Sequence, residues 1–195
     1  MSKDKEITFI GNFVTDTSIV ALIVDKVIKD LLKMDYPREE IDEIAISMDE
    51  SIANAVSATI ANIAESTKEN PKKPYITIRY AISETEFDAT IIDQGKGLDL
   101  FKTLSTTPDI DSEDYHNQVM TYTEDTEKSQ SSLTMNNKNI QLKGVGAGLK
   151  IISSFMDSVS IEYIDRNTII ATKISESTEG TIFNMKRKRR NFSNA

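Results

Sequence analysis

The chain contains no cysteine and a single histidine, His116. Without thiols it cannot form a disulfide scaffold, a zinc ribbon or an iron–sulfur cluster, and it cannot use a thiol nucleophile. One imidazole also makes a multi-histidine metal site or a histidine phosphorelay hard to build. The candidate functional groups are therefore carboxylates, amides, hydroxyls and exposed backbone groups.

Positive charge is scarce: the 195 residues include 23 Lys and Arg against 31 Asp and Glu, for a net charge of −8. Proteins that bind the nucleic-acid backbone present an excess of basic side chains, so we expect no direct nucleic-acid binding. Five of the 23 basic residues form one run, Lys186–Arg190. Because like-charge blocks are usually solvated, we predict a basic tail over 187–195. The alternative is a contact with a nucleic acid, a membrane or an acidic partner.

No apolar run approaches the roughly 20 residues that span a bilayer. The first ten residues, MSKDKEITFI, have neither the apolar core nor the cleavage site of a signal peptide. We therefore expect a cytoplasmic protein without membrane contact. Neither the P-loop pattern GxxxxGK[ST] nor the dinucleotide pattern GxGxxG occurs.

Hydrophobic periodicity predicts both helices and strands. Helical spacing of apolar residues predicts helices over about 19–32, 38–65 and 147–157. Alternation predicts strands over about 5–14, 76–82, 87–93, 159–164, 168–174 and 180–186. Short turns join most of these strands. The pattern therefore favours an α/β (α+β) two-layer sandwich, in which a mixed, mostly antiparallel sheet carries its helices on one face.

The segment 101–142 differs in composition from the rest of the chain. Thirty of its 42 residues are polar or charged, twelve of them Ser or Thr, and it has no glycine. Such a segment cannot bury enough apolar surface to offset its ordering entropy. Long structureless stretches inside a domain are usually functional lids or disordered insertions. We predict a single domain over 1–186 with a polar lid or insertion at 101–142.

The first candidate site feature is a polar pair on the second helix, Glu50 and Asn54. At i, i+4 spacing the two side chains share one face of the helix. The neighbours on this face are small, namely Ala53, Ser57, Ala58 and Ala61. Small neighbours let another body approach the pair closely. The alternative is an ordinary polar helix face beside an alanine-rich packing patch.

The second feature is the sequence Asp93-Gln94-Gly95-Lys96-Gly97 at the end of a predicted strand. A carboxylate followed by two glycines, Gly95 and Gly97, can hold a polar ligand edge against exposed backbone. The alternative is a turn after an edge strand.

The third feature is a glycine-rich segment that leads into the helix predicted over 147–157. It consists of Lys143, Gly144, Val145, Gly146, Ala147, Gly148 and Leu149. Exposed N–H groups at the positive end of a helix suit phosphate. The alternative is a flexible hinge between the lid and the helix.

Together the three features resemble the N, G1 and G2 boxes of the GHKL (Bergerat-type) ATPase superfamily. The carrying residues are Glu50-x-x-x-Asn54, Asp93-x-Gly95-x-Gly97 and Gly144-x-Gly146-x-Gly148-Leu149. The late Gly180-Thr181 looks like the glycine-threonine pair that opens a strand in the same fold. Within the superfamily, the small size, the initial strand and the long opening helices resemble the anti-sigma-factor serine/threonine kinases of bacterial partner-switching systems. The resemblance covers about 5–186 and implies the histidine-kinase-like ATPase fold.

This resemblance implies ATP and Mg²⁺ as cofactors and a role for each matched residue. Asn54 would be a metal ligand for Mg²⁺, and Glu50 would be the catalytic general base. Asp93 would accept a hydrogen bond from the adenine amino group, with Thr181 nearby. Gly95 and Gly97 would let the backbone pass close to the nucleotide. The remaining cofactor-binding residues would line the phosphates under the lid: Lys143, Gly144, Val145, Gly146, Ala147, Gly148 and Leu149.

The chain departs from the family in two respects. Ser57 and Ala58 stand where the family often has a histidine after the asparagine, and the lid lacks arginine. The resemblance implies a kinase that phosphorylates Ser or Thr of a partner protein, with a sigma factor as a second partner and a homodimer as a frequent state. Alternatives are a non-catalytic ATP-binding regulatory or docking module, a stand-alone ATPase of the same fold, and an interaction protein that binds no nucleotide.

Overall fold

The computed structural model describes residues 5–64, 74–96, 132–135, 138–141, 147–167, 170–171 and 173–190. The helices in these ranges are α1 (Ser18–Lys33), α2 (Arg38–Ala64) and α3 (Ala147–Phe155). The strands are β1 (Ile7–Val14), β2 (Tyr75–Ile82), β3 (Glu86–Asp93), β4 (Ser132–Met135), β5 (Lys138–Gln141), β6 (Ser158–Asp165), β7 (Ile170–Ala171) and β8 (Thr178–Lys188).

Six strands form one sheet in the order β1-β2-β3-β8-β6-β7, and each described pairing is antiparallel. The two hairpin neighbours β2 and β3 are joined by a tight turn in which Ser83 N donates to Glu86 O. The strand β8 comes late in the chain but lies between β3 and β6. Because β3 is an inner strand, the alternative of a turn after an edge strand at Asp93 is wrong.

One face of the sheet carries the helices, as the apolar patterning predicts. On β2 the residues alternate between buried and more exposed positions, with Ile76, Ile78, Tyr80 and Ile82 buried. The apolar stripe of α2 packs into the same core and consists of Ile41, Ile44, Met48, Ile52 and Ala55. Burial of one such large side chain contributes roughly 1.5–3 kcal/mol. The predicted two-layer α+β sandwich is confirmed.

The core includes one fully bonded carboxylate, Asp30 of α1. Its oxygens accept hydrogen bonds from Tyr80 Oη at 2.7 Å, Lys33 Nζ at 2.7 Å and Lys26 Nζ at 2.9 Å. Burial raises the pKa of Asp30, but the bonds from Lys33, Lys26 and Tyr80 outweigh it and lower the pKa to about 2. The carboxylate therefore ties α1 to β2 in its ionised form.

The basic run is not a solvated tail. Strand β8 continues through Lys188, two residues past the predicted domain boundary at 186. Arg187 faces the helices opposite Phe87 of β3 and is only 1% exposed. Its charge is met by Glu40 and Glu43 of α2, which are distant in the sequence. For 187–190 the tail prediction is wrong, because a charge run does not reveal such remote acidic partners, and 191–195 lie outside the described residues.

Two further elements differ from the predictions. The strand predicted over 168–174 is described only at Ile170–Ala171, which pairs with Ile164 and Tyr163. The segment 101–142 contains a short antiparallel hairpin, β4–β5, rather than only irregular chain. The remainder of that segment lies outside the described residues.

The longest helix, α2, carries acidic residues and polar side chains along its length. In the part of the chain that the structure describes, no helix is long and apolar enough to cross a membrane.

Candidate functional site

The first turn of α3 packs against the polar pair on α2. A Cβ atom built on Gly148 would overlap Oε2 of Glu50 and would lie 3.8 Å from Nδ2 of Asn54. The absence of a side chain at Gly148 therefore lets the backbone of α3 approach both polar groups. Glu50 is half-buried and Asn54 is exposed. The first and third sequence features thus meet in the fold.

The second feature reaches the same helix one to two turns further along. Gly95 is buried, and a Cβ atom on it would lie only 2.7 Å from Cβ of Ala58. The chain after β3 therefore packs directly on the small residue that follows Asn54 by four positions. This contact is packing within the fold, so at Ala58 it is what the alternative of an alanine-rich packing patch predicts.

Asp93 lies at the end of β3 and points to the helix side of the sheet. It is 7% exposed and stands opposite Thr181 of β8. Gly95 N donates a hydrogen bond to its Oδ1 at 2.7 Å. Burial raises the pKa of Asp93 to about 6, although hydrogen bonds from Gly95 and Thr181 partly oppose the rise. A buried carboxylate with a shifted pKa is typical of a ligand-recognition site.

Gly180 is needed for the approach of β8 to this carboxylate. A Cβ atom on Gly180 would lie 2.7 Å from the backbone oxygen of Asp93 and 3.4 Å from Ile164. The glycine-threonine pair therefore has a structural explanation: Gly180 clears the backbone, and Thr181 supplies hydrogen bonds to the carboxylate.

Two side chains that position this site escaped the sequence analysis, Thr59 and Asn62 of α2. Thr59 Oγ1 accepts a hydrogen bond from Gln94 N at 3.2 Å, and Asn62 Nδ2 donates to Gln94 O at 2.6 Å. Together they bind the backbone N–H and C=O groups of Gln94, the residue between Asp93 and Gly95. Thr59 is fully buried and continues the apolar stripe of α2 after Ile52 and Ala55, and Asn62 follows it by three residues. A hydroxyl on an otherwise apolar stripe is the signal that could have identified Thr59.

The remaining residues of the predicted site are only partly described. Ala147 begins α3, and Leu149 is buried in the core beside the site. The segment that precedes α3 lies outside the described residues and includes Lys143, Gly144, Val145 and Gly146. Gly97, which follows the described part of the second feature, lies outside them as well.

The donor set fits hard ligands. The site combines a carboxylate, a side-chain amide and the start of a helix, where the first N–H groups have no partner within the helix and can bind an anion. In the described ranges no cluster of three or more His, Cys, Asp or Glu could hold a metal ion by itself. Mg²⁺ commonly binds through few protein oxygens together with phosphate oxygens and water. The oxygen ligands available at Asn54 and Glu50 therefore suit Mg²⁺ that arrives with a nucleotide.

No protein-family model matches the chain, and no curated protein matches it in sequence. A solved structure is similar in fold: a chain in the crystal structure of the SiaB–SiaC complex from Pseudomonas aeruginosa. The similarity covers 92% of this chain and 88% of that chain, with a TM-score of 0.52 and 11% sequence identity. At this identity the likeness extends to the fold alone.

Proposed function

We propose that this protein binds ATP with Mg²⁺ at the junction of α2, α3 and the β3–β8 strand ends. In this proposal it acts as a serine/threonine kinase toward a partner protein in a bacterial partner-switching system. The observation that carries the proposal is the contact of Gly148 with Glu50 beside Asn54. That contact joins the N-terminus of α3, which suits phosphate, to a carboxylate–amide pair on α2. The buried carboxylate of Asp93, at the end of β3, lies beside a later turn of α2 near Ala58.

The adenine end of the pocket would be formed by Asp93 and its surroundings. Asp93 is fixed by Gly95 and Thr181, so its carboxylate is held in one orientation. An amino group on a flat heterocycle could donate to this carboxylate without a side chain at Gly95 in its way. Recognition by one buried polar group fixes orientation, because an unmatched ligand leaves that group without its partner.

The phosphate end would be formed by the first turn of α3 and the polar pair of α2. The N–H groups at Gly148 would face the phosphates, and Asn54 would bind the Mg²⁺ that neutralises their charge. Glu50 would take the proton from the attacking hydroxyl. The new P–O bond forms at the γ-phosphorus as the bond to the β–γ bridging oxygen breaks, and ADP leaves. Phosphoryl transfer requires mainly such positioning and charge neutralisation.

The proposed substrate is a second protein. The structural neighbour was solved as a complex of two different proteins, which supports a protein partner for this fold. A serine or threonine on that partner would be the phosphate acceptor. With a sigma factor as the second binding partner, the phosphorylation state of the first partner would determine how much sigma factor is bound.

The first test is calorimetric titration of ATP with Mg²⁺ into the wild type, Asp93→Ala and Asp88→Ala. Asp88 is on the same strand but is half-exposed and ion-paired with Lys186. We expect saturable binding by the wild type and Asp88→Ala, and no detectable binding by Asp93→Ala. Absence of binding by the wild type would contradict the proposal and favour an interaction protein.

The second test separates transfer from binding. Candidate partners are incubated with ATP, Mg²⁺ and either the wild type or Glu50→Gln, and their intact masses are measured. We expect the wild type to add one phosphate to a Ser or Thr, and Glu50→Gln to bind ATP without adding it. Binding without any phosphorylation would instead indicate a regulatory module. Phosphate release without a partner would indicate a stand-alone ATPase.

A further inference from the structure

Helices α2 and α3 are connected at two levels. At one level Gly148 of α3 packs on Glu50 of α2. At the other level Arg187 of β8 joins Glu43 of α2 to the backbone oxygen of Phe155, the last residue of α3. Seven residues separate the two levels on each helix, which corresponds to two turns or about 10 Å. The two helices are therefore antiparallel and are fixed to each other at both levels.

The second level is a buried network, which we call the Arg187 clasp and define as Arg187, Glu40, Glu43 and the Phe155 carbonyl. Nη1 of Arg187 donates to Phe155 O at 2.6 Å, and Nη2 donates to Glu43 Oε2. Nε lies 3.8 Å from Glu40 Oε2 and, although buried, makes no hydrogen bond. Arg190 N also donates to both carboxylate oxygens of Glu40, at 3.2 Å each.

The clasp fixes the C-terminal end of α3 with support from the adjoining turn. Asp157 N donates to Lys186 O at 2.9 Å, and Lys188 N donates to Asp157 Oδ2 at 2.6 Å. Three hydrogen bonds thus connect the end of α3 and the following turn to β8, on both sides of Arg187. Because α3 has only nine residues, an anchor at its C-terminal end, together with the buried Leu149 and Ile152, helps to fix where Gly148 lies.

We infer that Arg187 is a positioning residue for the nucleotide site. Arg187 sets where α3 lies along the axis of α2. This position determines how the N-terminus of α3 fits phosphate. The inference rests on the proposed function. Arg187 does not touch the site itself, because six residues of extended strand, about 20 Å, separate it from Thr181.

Arginine is suited to this task for a geometric reason. Its planar guanidinium presents donors in a fixed fork, and here two prongs reach different helices. A lysine has the same charge but a single compact donor group, so it could bind Glu43 or Phe155 O but could not hold both in the same geometry. Arg187→Lys therefore tests the fork while it leaves a positive charge beside the two glutamates.

The readout must distinguish positioning from general stability. Adenosine would use the Asp93 end of the pocket, whereas ATP would also use the first turn of α3. If Arg187 positions α3, its substitution weakens ATP binding and leaves adenosine binding nearly unchanged. If Arg187 merely stabilises the fold, both ligands lose affinity in proportion to the unfolded fraction.

The experiment measures adenosine and ATP·Mg²⁺ affinities of the full chain as wild type, Arg187→Lys and Lys188→Arg. The last variant is the control, because Lys188 is exposed on the same strand. We expect Arg187→Lys to weaken ATP binding about tenfold and adenosine binding less than twofold, with Lys188→Arg unchanged. Amide exchange without ligand is measured in parallel, and we expect it to rise at Gly148–Lys150 and to stay constant in β3.

Each outcome decides a different claim. Equal loss of both ligands by Arg187→Lys, or no loss of either, overturns the inference while the proposed function stands. A wild type that binds neither ligand overturns both. If Arg187→Lys does not fold, Glu43→Ala replaces it, because alanine removes the acceptor of Nη2 on α2. The same selective loss of ATP binding is expected for that variant, and unaltered ATP binding would overturn the inference.

Discussion

Asp93 and Thr181 stand opposite each other on neighbouring strands, and the threonine hydrogen-bonds the carboxylate from both its side chain and its backbone. These bonds do not cancel the effect of burial. The pKa of Asp93 is therefore raised to about 6. The Asp93 carboxylate is therefore a well-oriented hydrogen-bond acceptor, but its negative charge is costly to bury. Both properties can be measured.

The first prediction concerns stability without ligand. Because the pKa of Asp93 is 3.8 in the unfolded chain and about 6 in the fold, its ionisation opposes folding. The stability that the fold gains from keeping Asp93 protonated is fully present below about pH 4 and is lost as pH rises through about 6. Over that interval we expect the free energy of unfolding of the wild type to fall by roughly 3 kcal/mol relative to that of Asp93→Asn, as measured by urea unfolding. A difference that is independent of pH would contradict the pKa shift.

The same ionisation should favour the ligand. An ionised carboxylate is a better acceptor for an amino group than a protonated one. We expect adenosine affinity to increase as pH rises through about 6 in the wild type and to be flat in Asp93→Asn. Adenosine is preferred to ATP in this measurement because a phosphate group itself titrates near pH 6. Constant wild-type affinity would rule out the carboxylate as the acceptor.

The second prediction concerns Gly148→Ala. The substitution suits a helix and reduces the freedom of the unfolded chain, which favours folding by about 0.4–1 kcal/mol. The new Cβ would nevertheless displace the Glu50 carboxylate, which is the movable end of a flexible side chain. We therefore expect an unchanged or higher melting temperature together with a loss of Mg²⁺-dependent ATP affinity.

Calorimetry with Mg²⁺ and with a chelator measures that loss. Ser154→Ala is a suitable control, because Ser154 is exposed on the same helix and bonds only to Ile151 O. If Gly148→Ala binds ATP·Mg²⁺ as the wild type does, the close approach of α3 to Glu50 and Asn54 is not needed for phosphate binding.

The third prediction concerns Thr59→Val. Valine keeps the shape of threonine but removes the acceptor for Gln94 N, and an unmatched buried N–H group costs about 1–3 kcal/mol. We expect lower stability by that amount and weaker adenosine binding, because Gly95 loses its support. Thr90→Val removes a comparable bond to Asn184 on the same sheet and should leave adenosine binding unaltered. Equal binding losses in the two variants would argue against a specific role for Thr59.

The fourth prediction concerns Asp30→Asn, with the exposed Asp25→Asn on the same helix as its control. Loss of the charge weakens the bonds from Lys26, Lys33 and Tyr80, so we expect about 1–3 kcal/mol lower stability near pH 7. Because the pKa of Asp30 is lowered to about 2, this deficit should persist above about pH 4 and shrink as pH falls toward 2. A deficit that does not change with pH would contradict the proposed ionisation.

The elements that the sequence predicted well share strong periodicity. The stripe of α2 and the alternation of β2 predicted both elements to within one or two residues. The strand predicted over 168–174 is present at Ile170–Ala171 and does not include 173–174, while 168, 169 and 172 lie outside the described residues. The pattern fails at Arg187, whose burial depends on partners in α2 that no local pattern reveals.

In the candidate site, too, some features follow from the local sequence pattern and others only from the fold. The spacing of Glu50 and Asn54 shows that they share a helix face, and the strand end at Asp93 is visible from alternation. That Gly148 meets the first pair and Gly95 meets Ala58 follows only from the topology. Thr59 is read locally as an ordinary helix residue, and its bond to Gln94 depends on a strand that begins 27 positions later.

The central position of β8 has a consequence for biosynthesis. A nascent chain that has emerged as far as β6 holds β3 and β6 with their inner edges open, because β8 pairs with both. Open strand edges recruit other chains, so this interval is when a translating molecule is most exposed to aggregation. The opposing strand also brings Thr181 to Asp93. Ligand added to stalled ribosomes should therefore be retained only once translation has released β8.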